Sequence, residues 1–299
     1  MNRLKTTICG VEFKNPIITA SGTYGYGREY ERYYDPAVLG GISSKGITYH
    51  AKEGNTGIRI WETPSGIINS IGLENPGIEV FCKDMIEDML QIDTNIFVNL
   101  GGNTIEEYVE GAKMLNDFDF FAIELNISCP NVKEGGMAFG TDEEAAYRVV
   151  SAVRKVSKHR LFVKLSPNVG SIVNIAKAVE RAGADGISLI NTILAMAIDV
   201  DKMEKVFDNT YAGLSGPAVK PIALRMTHEV CKNVNIPVIG MGGITTGIDA
   251  IEFILAGASA VQVGTANFMN PRAVLEIKDQ MVEYLDNKDK SVDEIRGLV

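Results

Sequence analysis

Eight short β-rich runs recur along these 299 residues, separated by longer stretches of helical period, and that alternation limits the fold more than any other feature. The runs are Ile17 to Ala20, Gly41 to Ser44, Asn95 to Val98, Phe120 to Leu125, Leu161 to Val163, Gly186 to Ile190, Ile236 to Ile239 and Ala260 to Val263. Between them lie helical segments such as Glu79 to Leu90, Ile105 to Leu115, Asp142 to Val156, Ile172 to Ala182, Pro217 to Asn233 and Gly247 to Ala256. This is the pattern of βα units around a parallel sheet. Eight of them predict an α/β fold, a closed (β/α)8 TIM barrel forming a single domain over residues 1–299. Thr6 to Phe13 alternates about a glycine and predicts an N-terminal β-hairpin that plugs the barrel's amino end. From Asp286 onward the chain is mostly charged and reads as a solvated terminal helix or tail.

Nearly every run ends in a polar residue or glycine: Ser21, Lys45, Asn99, Asn126, Lys164, Asn191, Gly242 with Gly243, and Gly264 with Thr265. In a closed barrel these positions converge on the carboxyl face, where active sites of this fold sit. Two lysines and three asparagines gathered there need an anionic or polarisable partner, because buried unpaired charges are costly. The glycine-rich turns Gly240 to Gly247 and Val263 to Phe268 follow runs seven and eight. Barrels of this type hold a phosphate on those two loops, where glycine lets the main chain come close. A phosphorylated cofactor or substrate is implied.

Asn126-Ile-Ser-Cys-Pro-Asn131 places a thiol, Cys129, at the mouth of an apolar strand that Pro130 ends. The glycine-rich loop 131–140 has the composition of an active-site flap with hinges at Gly135, Gly136 and Gly140. A small buried cysteine is the structural alternative. The four cysteines are scattered, which predicts neither disulfides nor a metal knuckle. The three histidines lie apart, and solvated faces account for His159 and His228, so no metal site is expected. With 29 basic against 38 acidic side chains the chain lacks a nucleic-acid footprint. No apolar run reaches the roughly 18 residues of a membrane span, and the start lacks a signal-peptide core. A cytoplasmic protein is expected, with no membrane or nucleic-acid partner.

Several longer stretches carry a family resemblance. They are Ser44-Lys-Gly-Ile-Thr48, Glu62 to Gly77, Asn126 to Asn131, Val163 to Asn168, Ile190-Asn-Thr192, Gly213 to Ala218 and the two phosphate turns. In these the chain resembles, over almost its whole length, the class 1 dihydroorotate dehydrogenases, flavin enzymes of pyrimidine synthesis with a cysteine base. Trp61 to Asn69 and Ser259 to Asn267 look most like the NAD-linked 1B group. Ser70 and Glu74 depart from the alanine and glutamine expected in the substrate loop.

The resemblance implies oxidation of dihydroorotate to orotate, with one FMN per chain. Electrons would pass to NAD through a partner subunit carrying FAD and a 2Fe-2S cluster, the whole forming a heterotetramer around a homodimer. It puts Lys45, Asn69, Ser70, Ile71, Gly72, Leu73, Asn126, Asn131, Asn191 and Thr192 on the substrate. It puts Ser21, Lys45, Gly46, Asn99, Asn126, Lys164, Ile190, Gly216, Gly242, Gly243, Gly264 and Thr265 on FMN. Cys129 would take a proton from C5 while hydride leaves C6, with Lys164 stabilising the reduced ring and Lys45 completing the catalytic set. A fumarate-linked class 1A enzyme, a uracil or thymine reductase and a non-catalytic flavin scaffold remain open alternatives. Replacing Cys129 with alanine should leave the protein yellow but slow flavin reduction by roughly 10²-fold or more in stopped flow; wild-type-like reduction removes Cys129 from the role.

Overall fold

A computed structural model describes residues 2–128 and 139–299, and eight strands that pair in parallel close on themselves within it. In chain order, β1 (Thr6–Ile8) and β2 (Val11–Phe13) form a hairpin, followed by the barrel strands β3 (Ile17–Thr19) and β4 (Gly41–Ser43). A second hairpin, β5 (Ile60–Thr63) and β6 (Gly66–Asn69), leaves the barrel. The wall resumes with β7 (Asn95–Leu100), β8 (Ala122–Asn126), β9 (Arg160–Lys164) and β10 (Gly186–Leu189). Four short strands then intervene: β11 (Ile193–Met196), β12 (Ile198–Asp199), β13 (Glu204–Lys205) and β14 (Tyr211–Ser215). β15 (Val238–Met241) and β16 (Ala260–Val263) complete the circuit, β16 pairing back to β3.

All eight expected strands are present, their ends shifted by a residue or two. The seventh starts at Val238 because Pro237 has no N–H for the ladder. The expected helices also form: Thr104, Asp142, Ser171 and Thr246 each cap one with a side-chain oxygen. Met85 breaks the segment 79–90 into two helices. The hairpin turns at Cys9 and Gly10, both at positive φ, as a two-residue turn of matching twist requires.

Two expectations are corrected. The segment after Asp286 is solvated over residues 286–290, as expected, but it is not a free tail. Helix Ala273–Lys288 ends in it, and Val292 and Ile295 on the short helix that follows are buried, while Val292 N–H donates to the Arg3 carbonyl and Arg3 pairs with Asp286 and Asp289. Nor does His159 face solvent: its ring stacks on Phe120 at 3.9 Å and its Nε2 lies 2.9 Å from the Leu115 carbonyl. The strands β5, β6, β14 and β11 form an antiparallel sheet outside the barrel that the sequence does not predict. Among the described residues no helix is long and apolar enough to cross a membrane.

Inside the barrel, side chains stack in layers from alternate strands. Lowest are Gly41, Ala122, Gly186 and Ala260, which leave room for the next layer of Ile18, Phe97, Phe162 and Ile239. Phe13 and Ile8 from the hairpin close this apolar end, Phe13 meeting Phe121 edge-on at 5.0 Å. A Cβ on Gly186 would stand 2.2 Å from the Phe162 ring, which Phe97 and Phe121 hold from other sides. Alanine in a strand usually gains about 0.5–1 kcal/mol over glycine, but here overpacking dominates. Gly186→Ala should destabilise by about 1–3 kcal/mol in urea unfolding, whereas Gly170→Ala, with open space around it, should be near neutral; equal effects would contradict this packing.

Candidate active site

Above the phenylalanine layer the barrel interior turns polar. The next layer, again from alternate strands, is Ser43, Glu124, Ser188 and Gln262, and the one above it is Ala20, Asn99, Lys164 and Met241. The upper set floors a cavity of about 770 Å3, a size typical of small-molecule sites. Its walls are Lys45, Asn126, Ile190 and Gly264 at the strand ends, the outer sheet, and the loop 69–73.

A chain of amides and hydroxyls crosses this floor. Asn99 Nδ2 donates to Glu124 at 2.6 Å, and Asn126 Nδ2 to Asn99 Oδ1 at 3.5 Å. Ser128 Oγ donates to Asn126 Oδ1 at 2.6 Å and accepts from Asn191 Nδ2, whose own Oδ1 accepts the Thr192 N–H. The Tyr108 hydroxyl fixes the Asn126 carbonyl at 2.8 Å. Each amide is thereby held in one orientation, presenting a defined edge to the cavity. Lys164 Nζ donates to Ser21 Oγ at 3.1 Å and stands 3.9 Å from Glu124. Burial opposes the ionised form of Glu124, but the Lys164 charge and donors from Gln262, Ser188 and Asn99 outweigh it and hold the carboxyl below its ordinary range.

The loop 69–73 is shaped by its backing. Gly72 and Leu73 both have positive φ, and a Cβ on Gly72 would lie 2.6 Å from the Asn55 amide nitrogen. Asn55 Nδ2 donates to Ser70 Oγ at 2.9 Å, so the departing serine is bound into the scaffold. Glu74 takes a 2.6 Å hydrogen bond from Arg59, and that bond, the Arg59 charge and nearby Lys45 depress its pKa. Its negative charge is therefore compensated at the mouth and does not by itself repel an anion.

At the opposite end, Gly242 and Gly243 turn at positive φ, and a Cβ on Gly243 would lie 2.8 Å from the Gly216 carbonyl. Among the described residues the N–H groups of Gly243, Ile244, Gly264 and Thr265 donate to no acceptor. Gln262 Oε1 is buried without a partner as well. Unpaired donors on two glycine turns, a buried ammonium and a buried acceptor fit a flavin mononucleotide's phosphate and ring edge.

Lys45, Lys164, Ser21, Gly46, Asn69, Ser70, Ile71, Gly72, Leu73, Asn99, Asn126, Ile190, Asn191, Thr192, Gly216, Gly242, Gly243, Gly264 and Thr265 all line this one cavity. Cys129, Asn131 and most of the expected flap lie outside the described residues. The sequence does not single out Ser128, Asn168, Arg59, Asn55 or Gln262, which also line it. Ser128, Asn168 and Gln262 did carry a signal, since each lies in a stretch that bears the family resemblance. Among the described residues no cluster of metal-ligating side chains occurs.

Behind the Gly242–Gly243 turn, Asp249 accepts the Thr245 and Thr246 N–H groups at 2.9 Å and Lys220 Nζ at 2.6 Å. Burial works against the Asp249 charge, yet Lys220 and the Thr245 and Thr246 donors bring its pKa down to about 2, from 3.8. A depressed carboxyl stabilises the fold above its unfolded pKa, and that contribution fades as pH falls through the folded value. Melting temperature should therefore drop between pH 4 and about 2 more steeply in wild type than in Asp249→Asn; parallel curves would contradict the assignment.

The family described as dihydroorotate dehydrogenase matches the chain over residues 3–285. The dihydroorotate dehydrogenase B (NAD(+)) catalytic subunit of Petrotoga mobilis is 55% identical over 296 residues, spanning 99% of both chains. The proteins of that name from Alkaliphilus metalliredigens and Bacteroides thetaiotaomicron are 53% and 51% identical, over 98% and 100% of this chain and 98% and 99% of theirs. Over nearly its full length, then, this chain belongs to the dihydroorotate dehydrogenase family.

Proposed function

We propose that the chain oxidises dihydroorotate to orotate in pyrimidine biosynthesis as an NAD-linked catalytic subunit. The observation that carries this is one cavity joining phosphate-competent glycine turns, the buried Lys164 and a fixed row of asparagines beside Lys45. Bound there, FMN supplies the two-electron acceptor for the hydride. Gly243, Ile244, Gly264 and Thr265 would hold its phosphate, and Lys164, Ser21 and Asn99 its ring. Lys45 meets the substrate carboxylate, since an ammonium is the natural partner of that anion. Asn69, Asn126, Asn191 and Thr192 hold the ring amides, giving and accepting hydrogen bonds at their oriented edges. The remaining contacts assigned to Ser70, Ile71, Gly72 and Leu73, with Asn131, close the substrate on its other side. Cys129 is the base that takes the C5 proton; a thiol acts so only when partly ionised, so turnover rises toward alkaline pH.

The relatives' shared designation, NAD(+) and catalytic subunit, supports electron delivery to NAD through a second subunit rather than to fumarate. That subunit would carry FAD and the 2Fe-2S cluster, in a cytoplasmic heterotetramer. The test is the visible spectrum of the purified chain. Anaerobic dihydroorotate should bleach the flavin band, and fumarate added to the chain alone should not restore it. Lys45→Ala should weaken orotate binding by about 10- to 100-fold, the loss of one charge-assisted bond. A colourless protein, or a band that dihydroorotate leaves unchanged, would overturn the assignment.

A further inference from the structure

Glu124 lines no part of the cavity, yet it governs the cavity's floor. Its side chain is fully buried at the centre of the barrel. Ser43 Oγ and Asn99 Nδ2 donate to one carboxylate oxygen at 2.8 and 2.6 Å, and Ser188 Oγ and Gln262 Nε2 to the other at 2.8 and 2.7 Å. Those four donors come from four strands other than its own β8. Burying a carboxylate is costly, and apolar side chains of similar volume in such a place are often neutral or stabilising. The layer below, all hydrocarbon, shows that this barrel can be filled that way. Stability alone therefore leaves the charge unexplained.

What the carboxylate does is set how the side chains above and beside it point. Asn99 and Gln262 both give it their amide N–H, which turns Asn99 Oδ1 toward Asn126 and leaves Gln262 Oε1 as a buried acceptor without a partner among the described residues. Lys164 Nζ rests between Ser21 Oγ and this carboxylate, with Glu124 as its anionic neighbour. We propose that Glu124 is a positioning residue of the flavin site, a fixed counter-charge that orients Asn99, Gln262 and Lys164 and thereby sets the potential at which the ring above them takes electrons. The inference rests on the flavin reading above. A negative charge locked under the cavity floor would oppose the arrival of further negative charge on a ring held there, so it would moderate the pull of Lys164 on that charge.

The test is the flavin midpoint potential of the loaded chain, read by anaerobic titration against a reference dye. Glu124→Gln keeps the shape and removes the charge. It should raise the ratio of reduced to oxidised flavin at a given potential tenfold or more, about 30 mV for a two-electron couple. Ser188→Ala removes one donor from the carboxylate, concentrates its charge, and should shift the midpoint the opposite way by a smaller amount. It lies away from the cavity and replaces a small side chain with a smaller one, so it decides the matter even where Glu124→Gln fails to load flavin. Shifts of opposite sign support the proposal. An unchanged midpoint in flavin-loaded Glu124→Gln, or in Ser188→Ala, overturns it and leaves the proposed function standing. A wild-type chain that binds no flavin overturns both.

Discussion

The fit of phenylalanine over glycine inside the barrel sets the height at which everything functional begins. Gly41 and Gly186, with Ala122 and Ala260, are small because the Phe97 and Phe162 rings lie over them, and Gly186 has no room even for a methyl group. Two layers plus the hairpin plug fill the amino half with hydrocarbon. The polar groups are thereby confined to the carboxyl half, away from bulk water below and open to a ligand above. Close packing of this kind deforms little, so the floor is a stiff platform.

On that platform the polar residues act as a connected set. Glu124 is bound to Asn99, Asn99 to Asn126, Asn126 to Ser128 and Ser128 to Asn191, so the ring contacts proposed for FMN and for substrate share one network. Such preorganisation is what catalysis by electrostatic and orientational means demands, since groups already in place need no rearrangement as charge moves. The outer sheet adds the second wall: β6 carries Asn69 and pairs with β14, whose Gly213 carbonyl takes the Asn69 amide at 3.2 Å.

Much of this was legible before any coordinates. The barrel strands announced themselves by β-branched runs between amphipathic helices, and the polar residue or glycine after nearly every run marked the rim of the cavity, because the strand ends of this fold converge. Glu124 was not legible. It is the one charge in the otherwise apolar strand Phe120 to Leu125, and in a strand buried on both faces no alternation tells inward from outward positions. Its importance comes from partners more than twenty residues away along the chain, on other strands. The outer sheet escaped for a related reason: Ile60–Thr63 and Gly66–Asn69 are only four residues each, and the strand that extends their hairpin into a sheet lies beyond residue 190. Arg59 and Glu74 illustrate a third limit. Glu74 alone looks ill suited to an anionic substrate, and only the folded loop shows the guanidinium that balances it.

The account stands on a flavin seated over this polar floor with its phosphate on the two glycine turns. A crystal structure of the purified chain soaked with orotate tests that most directly. It should show the phosphoryl oxygens within hydrogen-bond distance of the Gly243 and Gly264 amides, the ring above Lys164 and Asn99, and orotate against Lys45 and Asn191. Empty glycine turns, or a ligand bound elsewhere with Lys164 pointing away from it, would contradict it.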